Sequence, residues 1–415
     1  MPSRRSFLVS TTGSLAGVAL LPHLELAGPR RIRTAAGAPL KVGVIGAGRQ
    51  GRQIVQELQQ IAGAEVRALC DSSPGRLTAG LSRAAGAEGF ADHRALLEKR
   101  KDLTALIVAT PTHLHRAIVA DCLQAGRHVY CEAPLAHTLD EARAIVAAAE
   151  AAETPPARRV FQAGFQARSN PVYQLARSFF RSGAVRDLVS LYAQYHRKTS
   201  WRFPATEPGT GPAVNWRLDP AVSIGLAGEI GAQQFDVFSW FRGRLPASVT
   251  GRGSIRLHAD GRKVADTIHA TLLWDDGVGL DYEATLANSY GGQFEVLHGT
   301  NSAIRLAWSL GWMFKEADAP TQGWEVYATR QQFFNDEGIV LIADATKLAA
   351  QGALKKGVGL PYSSLYYALG DFLRSVAEGA PITCTARDGL RATALGVLAN
   401  QAIVTGQTIP VPGDL

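Results

Sequence analysis

Leu40-Lys41-Val42-Gly43-Val44-Ile45-Gly46-Ala47-Gly48-Arg49-Gln50-Gly51 is an apolar run that ends in a glycine-rich turn and opens onto Gln53 to Ile61, a stretch with helical character. The apolar run reads as a buried strand. At the strand-to-helix turn each glycine has its own task. Gly46 makes the tight turn, Gly48 lets backbone approach a pyrophosphate, and Gly51 lets the helix pack close to the strand. Arg49 and Gln50 lie in the same turn, where unpaired N–H groups and the positive helix end favour phosphate. A second strand, Glu65 to Cys70, ends in Asp71, 20 residues after Gly51. A carboxylate at that spacing accepts from a ribose 2′-hydroxyl and repels a 2′-phosphate, which favours NAD; nearby Arg76 keeps NADP open.

The strand–helix alternation continues outward. Leu103 to Ala109, Arg127 to Cys131 and Arg159 to Gly164 read as strands, with helices at Thr112 to Ala125 and Leu139 to Ala152. Such alternation argues for a parallel sheet covered on both faces. Beyond it the pattern changes. Leu188 to Arg197, Val249 to Leu257, Asp266 to Trp274, Gly279 to Thr285 and Phe294 to Leu297 read as strands with partial alternation, and Asp275-Asp276-Gly277 is a hairpin signal. Residues 308–360, with Trp308, Trp312 and Trp324, carry no clear motif.

At 415 residues the chain has room for two or three domains. It is 46% hydrophobic and 19% charged, which fits a globular protein and excludes a disordered one. The net charge of +7 is partly a terminal effect, because residues 1–38 hold five arginines against Glu25. No basic stripe appears elsewhere, so nucleic acid is not an expected partner. Cys70, Cys122, Cys131 and Cys384 show no C-x-x-C spacing, so no metal or redox motif is expected.

Arg4-Arg5 ahead of the weakly apolar run Leu8 to Leu21 reads as a twin-arginine export address, and hence a periplasmic or otherwise exported protein. The run is too short and polar to span a hydrocarbon core of roughly 30 Å, so no stable membrane span is expected. Ala36-Gly37-Ala38 matches a small-x-small cleavage pattern, although Pro39 follows it.

Ala109-Thr110-Pro111-Thr112-His113-Leu114-His115 and Gly126 to Ala136, with Glu132-Ala133-Pro134, join the glycine turn in a familiar order. So do Gln162 to Gln166, Asn170-Pro171, Gly228 to Asp236, Ala380 to Thr383 and Asp388-Gly389. Together they resemble the Gfo/Idh/MocA oxidoreductases, the group of glucose–fructose oxidoreductase and inositol 2-dehydrogenase. The resemblance implies an α/β Rossmann domain followed by an α+β domain with an open, mostly antiparallel sheet. It also implies an active site between the two and a homo-oligomer, dimer or tetramer, formed through that sheet. The expected organisation is a signal segment at 1–38, the NAD-binding domain at 39–165 and a substrate and oligomerisation domain at 166–385. A C-terminal helix and tail, 386–415, then pack back on the first domain. Thr110, Pro111, His115, Glu132, Ala133 and Pro134 are expected beside the cofactor.

Two positions depart from the family pattern. Ala133 stands where the family usually has lysine, and Gln233 where it usually has the acid/base histidine. On a regular helix Glu229, Gln233 and Asp236 share one face, so two carboxylates and an amide remain there. His196 and Lys198, on one face of the strand Leu191 to Lys198, are candidates to replace the lost base and charge. Glu229 is a further candidate, because burial raises a carboxyl pKa. The loop carrying Trp201-Arg202 and Trp216-Arg217 offers indole faces and guanidinium forks suited to sugar rings, and Asp236 joins them as a substrate contact. The leading expectation is an NAD(P)-dependent oxidoreductase of a sugar, sugar derivative or cyclitol with tightly bound cofactor. The alternatives are an NAD-dependent glycoside hydrolase or lyase using transient oxidation, and a silent sugar-binding relative.

Overall fold

Apolar residues cover both faces of the central strands β1 (Leu40–Ile45) and β4 (Ala105–Val108), as a parallel sheet buried between helices requires. The computed structural model describes residues 27–415 other than 35–36, 156–157, 206–208, 323–324, 326–327, 334–335, 346–347, 349–350, 352 and 354–356. The paired arginines and the apolar run Leu8 to Leu21 therefore lie outside the described residues.

In the first domain β1 and β4 are joined by β2 (Ala64–Cys70), β3 (Glu88–Phe90), β5 (His128–Glu132) and β6 (Phe161–Gly164). The order is β3-β2-β1-β4-β5-β6, with every pair parallel. The strand order reverses between β1 and β4, and the crevice outside their carboxyl ends is where such sheets bind ligands. Helices α1 (Arg49–Leu58), α2 (Pro74–Leu81), α3 (His93–Lys99), α4 (His115–Gln124) and α5 (Leu139–Glu153) complete the unit. Their starts follow local chemistry: Ser73, Asp92 and Thr138 each cap the backbone of the following turn.

After α6 (Pro171–Arg181) the second domain adds β7 (Leu188–His196), β8 (Ser248–Ser254), β9 (Thr267–Leu273), β10 (Gly279–Thr285), β11 (Gln293–Gly299) and β12 (Ser302–Ala307). It continues with β13 (Leu310–Lys315), β14 (Arg330–Phe333), β15 (Asp336–Val340) and β16 (Ile409–Pro410). These described strands form one sheet, β14-β15-β13-β12-β11-β7-β10-β9-β8-β16, in which β7 and β10 run parallel and their neighbours antiparallel. Leu191 and Ala193 of β7, Leu280 and Tyr282 of β10 and Ile304 and Leu306 of β12 alternate onto one face. That face packs on α7 (Ala232–Arg242), which is entered through a π-helical turn at Ala227–Gly231.

Two later helices close the structure. Helix α8 (Ser364–Glu378) lies against α1, and α9 (Ala386–Thr405) packs on both α5 and α7. Gly396 permits the second contact, because a Cβ there would lie 2.8 Å from Gly228 Cα. Among the described residues no helix is long and apolar enough to cross a membrane.

Residues 27–34, which the sequence reading assigned to the leader, belong to the folded body. The Arg30 side chain is buried, its Nε 3.0 Å from Asp371 Oδ1, and its backbone N–H donates to Tyr366 Oη at 2.7 Å. The Tyr367 hydroxyl donates to the Ala27 carbonyl, and Ile32 N–H to the Ala62 carbonyl. Gly370 makes room for this strap, since a Cβ there would overlap the Arg30 side chain. Arg30→Ala removes the main counter-charge of Asp371, leaving it Ser169 and Arg374, and a stability loss of about 2–4 kcal/mol is expected. A fall in the thermal midpoint relative to wild type checks it; an unchanged midpoint refutes it.

Candidate active site

The glycine turn has the geometry expected of a nucleotide cradle. Gly46 sits at φ +101°, and a Cβ on Gly51 would fall 1.7 Å from the Gly46 carbonyl oxygen. Only glycine satisfies both. Gly48, the residue before α1, is different: a Cβ there meets nothing within 4 Å, and its backbone is extended. No side chain caps α1, so its first N–H groups face the crevice uncapped. Asp71 ends β2 with Oδ2 accepting from Ala47 N–H at 2.8 Å and Oδ1 from Ser73 N–H at 2.9 Å. The carboxylate is thereby held against the turn. Gly48→Val is therefore expected to leave folding intact while weakening dinucleotide binding more than about tenfold, because the lost approach is to the pyrophosphate. Calorimetric titration beside a melting curve separates the two effects; wild-type affinity in the variant would contradict the cradle.

Across the crevice Glu132, at the end of β5, accepts from Gln50 Nε2 at 3.0 Å. Burial pushes its pKa up to about 7. His115 is buried with its ring nitrogens 3.0 Å from the Pro134 carbonyl and 2.9 Å from the Thr110 carbonyl, and burial lowers its pKa to about 4. As a neutral ring it carries one N–H and donates to one of these two carbonyls. Thr110 Oγ1 is buried without a protein partner. Pro111 directs the chain into the turn Thr112–Leu114. Half-buried Ala133 contributes only a methyl group.

The chemistry gathers around Glu229. The Thr112 hydroxyl donates to Oε2 at 3.1 Å, and Arg217 Nε lies 3.8 Å from the same oxygen. Oε1 is buried and accepts no hydrogen bond of normal geometry. Burial pushes the Glu229 pKa up to about 7, against the opposing pull of Arg217, Thr112 and the Ile224 backbone. The Arg217 guanidinium lies 4.5 Å from the Trp216 ring centroid and 5.7 Å from that of Trp201. The His113 ring meets the edge of Trp216 at 5.7 Å. Trp201 holds φ +59°, a left-handed backbone that is unusual for a bulky residue and common at functional sites. Gln233, one turn after Glu229, donates to the Gly164 carbonyl at 3.1 Å and leaves Oε1 buried and unpartnered.

Several expected residues lie elsewhere. His196 is on the opposite face of the sheet, with Nε2 3.1 Å from Glu283 and Nδ1 2.9 Å from the Tyr290 carbonyl. Lys198 is exposed at the end of the same strand, its N–H on Ser289 Oγ. The strand alternation was sound, but the face it put forward is the outer one. The inner face carries Tyr195, which packs on the core of the second domain. Arg202 is turned away into an ion pair with Asp260 at 2.7 Å. Asp236 is also unavailable to a substrate: Arg168 grips both its oxygens, at 2.8 and 2.9 Å, in a buried pair. The extra residue in the π-helical turn rotates Glu229 relative to α7, so the two acids face different partners. Thr112, His113 and Tyr195 went unassigned in the sequence, although the first two lie inside the Thr-Pro-x-x-x-His motif.

Three buried carboxyls, Glu132, Glu229 and Glu295, have pKa values near 7 with burial as the first cause. A carboxyl raised in the fold stabilises fully below its unfolded value, roughly 4.3, and loses that contribution as pH rises through its folded value. Buried His115 and half-buried His128, each lowered to about 4, pull the other way below roughly pH 6.5, so the loss from the three carboxyls should be read between about pH 6.5 and 8, where the nucleotide-free protein should melt progressively lower. A thermal midpoint that rises across that window would contradict them.

Comparison with known proteins agrees with this geometry. Residues 40–155 match the profile of an oxidoreductase family described as an NAD-binding Rossmann fold, and residues 191–411 match its C-terminal alpha/beta domain. Inositol 2-dehydrogenase 1 of Saccharopolyspora erythraea is 29% identical over 254 residues, 61% of this chain and 69% of that one. Levoglucosan dehydrogenase of Pseudarthrobacter phenanthrenivorans is 26% identical over 348 residues, 78% of this chain and 83% of that one. A solved levoglucosan dehydrogenase in complex with NADH and levoglucosan superposes with a TM-score of 0.70 at 20% identity, covering 90% of this chain and 100% of that one. The chain belongs to the Gfo/Idh/MocA oxidoreductase family, and its first domain is the family's NAD-binding Rossmann domain.

Proposed function

We propose that the protein is an NAD-dependent dehydrogenase of a sugar or cyclitol in which Glu229 serves as the acid/base. The observation that carries this is the Glu229 carboxyl itself. It is buried, poised near neutrality and hydrogen-bonded at Oε2, while the buried Oε1 accepts no hydrogen bond of normal geometry. When bound, NAD supplies the hydride acceptor. The chain must then take the hydroxyl proton of the substrate, and the Glu229 carboxylate would receive it once a shift of its side chain brings Oε1 to the substrate. Thr112 keeps the carboxyl oriented, while Arg217, held over Trp216, limits the cost of its ionised form. Ala133 and Gln233, read as replacements of the family's lysine and histidine, contribute no titratable group. The indoles of Trp201 and Trp216 suit the C–H faces of a sugar ring.

The relatives named for inositol and levoglucosan support this substrate class. The test is to incubate the protein with NAD and a panel of cyclitols, monosaccharides and anhydrosugars while following absorbance at 340 nm. A substrate-dependent rise is expected. No rise, with an aryl glycoside in the panel releasing its aglycone, would replace this reading by a hydrolase; inertness to all would leave a binding protein.

The remaining proposals concern the setting. Export by the twin-arginine route would carry the folded, cofactor-loaded enzyme, and a cut upstream of Ala27 would spare the strap that holds Arg30. Self-association through the sheet is supported by outward-facing Tyr192 and Phe294, which pair at 5.7 Å, and by half-exposed Leu273.

A further inference from the structure

Phe203 has a position that burial does not explain. Trp201, two residues earlier, packs on the core of the second domain, whereas Phe203 is 36% exposed and belongs to no hydrophobic cluster among the described residues. Its ring lies instead against the first domain, with the Arg49 guanidinium 5.0 Å from its centroid. Arg49 is the first residue of α1, inside the glycine turn. A guanidinium over an aromatic face at that distance is attracted to it.

The backbone around Phe203 is fixed from both sides. Arg202 is tied to Asp260, through Nε to the carboxylate at 2.7 Å and through Nη2 to the carbonyl at 3.2 Å, and Arg262 grips the same carboxylate. The Phe203 N–H donates to Asn215 Oδ1 at 2.7 Å, and Asn215 Nδ2 donates to the Phe203 carbonyl at 3.0 Å. One side-chain amide thus satisfies both backbone groups of one residue. Asn215 directly precedes Trp216 and Arg217. The Arg217 guanidinium lies 4.5 Å from the Trp216 ring centroid, and its Nε is 3.8 Å from Glu229 Oε2. A line of contacts therefore runs from the glycine turn through Arg49, Phe203 and Asn215 to the group around Glu229.

We propose that Arg49 and Phe203 are positioning residues for the sugar: their contact holds Asn215, and with it Trp216 and Arg217, in place against Glu229. This rests on the reading of Glu229, Trp216 and Arg217 as the sugar site. Neither residue touches the reacting atoms. The backbone N–H groups at the start of α1 serve the pyrophosphate, while the Arg49 side chain braces the sugar-facing arm of the second domain. Binding groups act only when their supports fix them, and a displacement of about 1 Å weakens them markedly.

The test uses the full chain labelled with 5-fluorotryptophan, the Trp216 fluorine resonance being identified by its loss in Trp216→Phe. Phe203→Ala and Arg49→Met are expected to move or broaden that resonance, and Phe203→Tyr, which keeps the ring, to leave it at the wild-type position. With NAD and the sugar or cyclitol of the panel that reduces it fastest, Phe203→Ala and Arg49→Met should raise the sugar KM about two- to fivefold, the scale of one exposed cation–π contact. The kcat should stay within about twofold, and Phe203→Tyr should restore the KM. Thermal midpoints should match wild type, because Phe203 lies outside the hydrophobic clusters. Since both side chains act through one contact, the double variant should be no worse than the worse single. KM effects that multiply, or a Trp216 resonance unmoved by either substitution, would overturn the proposal. So would an Arg49→Met variant whose one defect is weak binding of 5′-ADP, which assigns the guanidinium to the pyrophosphate. If nothing in the panel reduces NAD, the reading of Glu229 falls, and the fluorine resonance still decides whether the turn positions Trp216.

Discussion

Glu229→Gln is expected to lower kcat about 10²- to 10⁴-fold, the range attributed to a positioned acid or base, while NAD affinity stays at the wild-type value. The amide matches the carboxyl in size and still accepts from the Thr112 hydroxyl, so the substitution removes proton acceptance and little else. The pH dependence sharpens the expectation. With its pKa raised to about 7 by burial, Glu229 is a competent base only above that value, so oxidation by wild type should climb through pH 7 and level off. The glutamine variant should lose that limb and be flat. Stability should move the other way. Wild type gives up the contribution of its protonated Glu229 as pH rises from roughly 4.3 to 7, whereas glutamine has nothing to ionise. The variant should therefore be the more stable protein at pH 8, by up to about 3 kcal/mol from a shift of this size, and near parity at pH 4. The ion pair with Arg217 does not reverse the sign, because that guanidinium is 42% exposed and its separation from Glu229 is 3.8 Å. Full turnover in the variant would place the acid/base elsewhere.

The first domain was legible because its signals are local. A glycine turn between an apolar run and a helix, and an acid at a fixed distance, are dictated by backbone geometry within some thirty residues. Strand limits came within a residue or two at β2, β7 and β10 for the same reason. The site was read less well because its errors are errors of facing. Period-two alternation puts Gln194, His196 and Lys198 together but cannot say which face of an open sheet meets the first domain. The answer depends on pairings between β7, β10 and β11, tens of residues apart. Helical periodicity likewise grouped Glu229 with Asp236, and a single π-helical turn separated them. The strap at 27–34 and helix α8, which clasp each other across more than 300 residues, had no local signature at all.

The separation of the two acids leads to the second expectation. Asp236→Ala should cost about 3–5 kcal/mol, because it leaves the Arg168 guanidinium buried without its main counter-charge. Arg168 Nε and Nη2 bind both oxygens of Asp236, Nη1 reaches Asp388 at 3.1 Å, and the guanidinium stands 5.8 Å from the Trp240 ring. Asp388 also closes the capping box of α9 with Thr385, so one arginine joins the chain leaving β6, helix α7 and the start of α9. Burial raises the Asp236 pKa and Arg168 lowers it, which marks a pair whose attraction offsets a large desolvation cost. Such pairs contribute little net stability, yet removing one partner exposes the whole penalty. Asp236→Ala should thus lower the urea midpoint sharply, and adding Arg168→Met should recover much of the loss by withdrawing the stranded charge. A substrate role predicts something different: a raised KM at unchanged stability in the single variant and no recovery in the double. Finding that pattern would return Asp236 to the substrate site and require the Arg168 contact to open in the working enzyme.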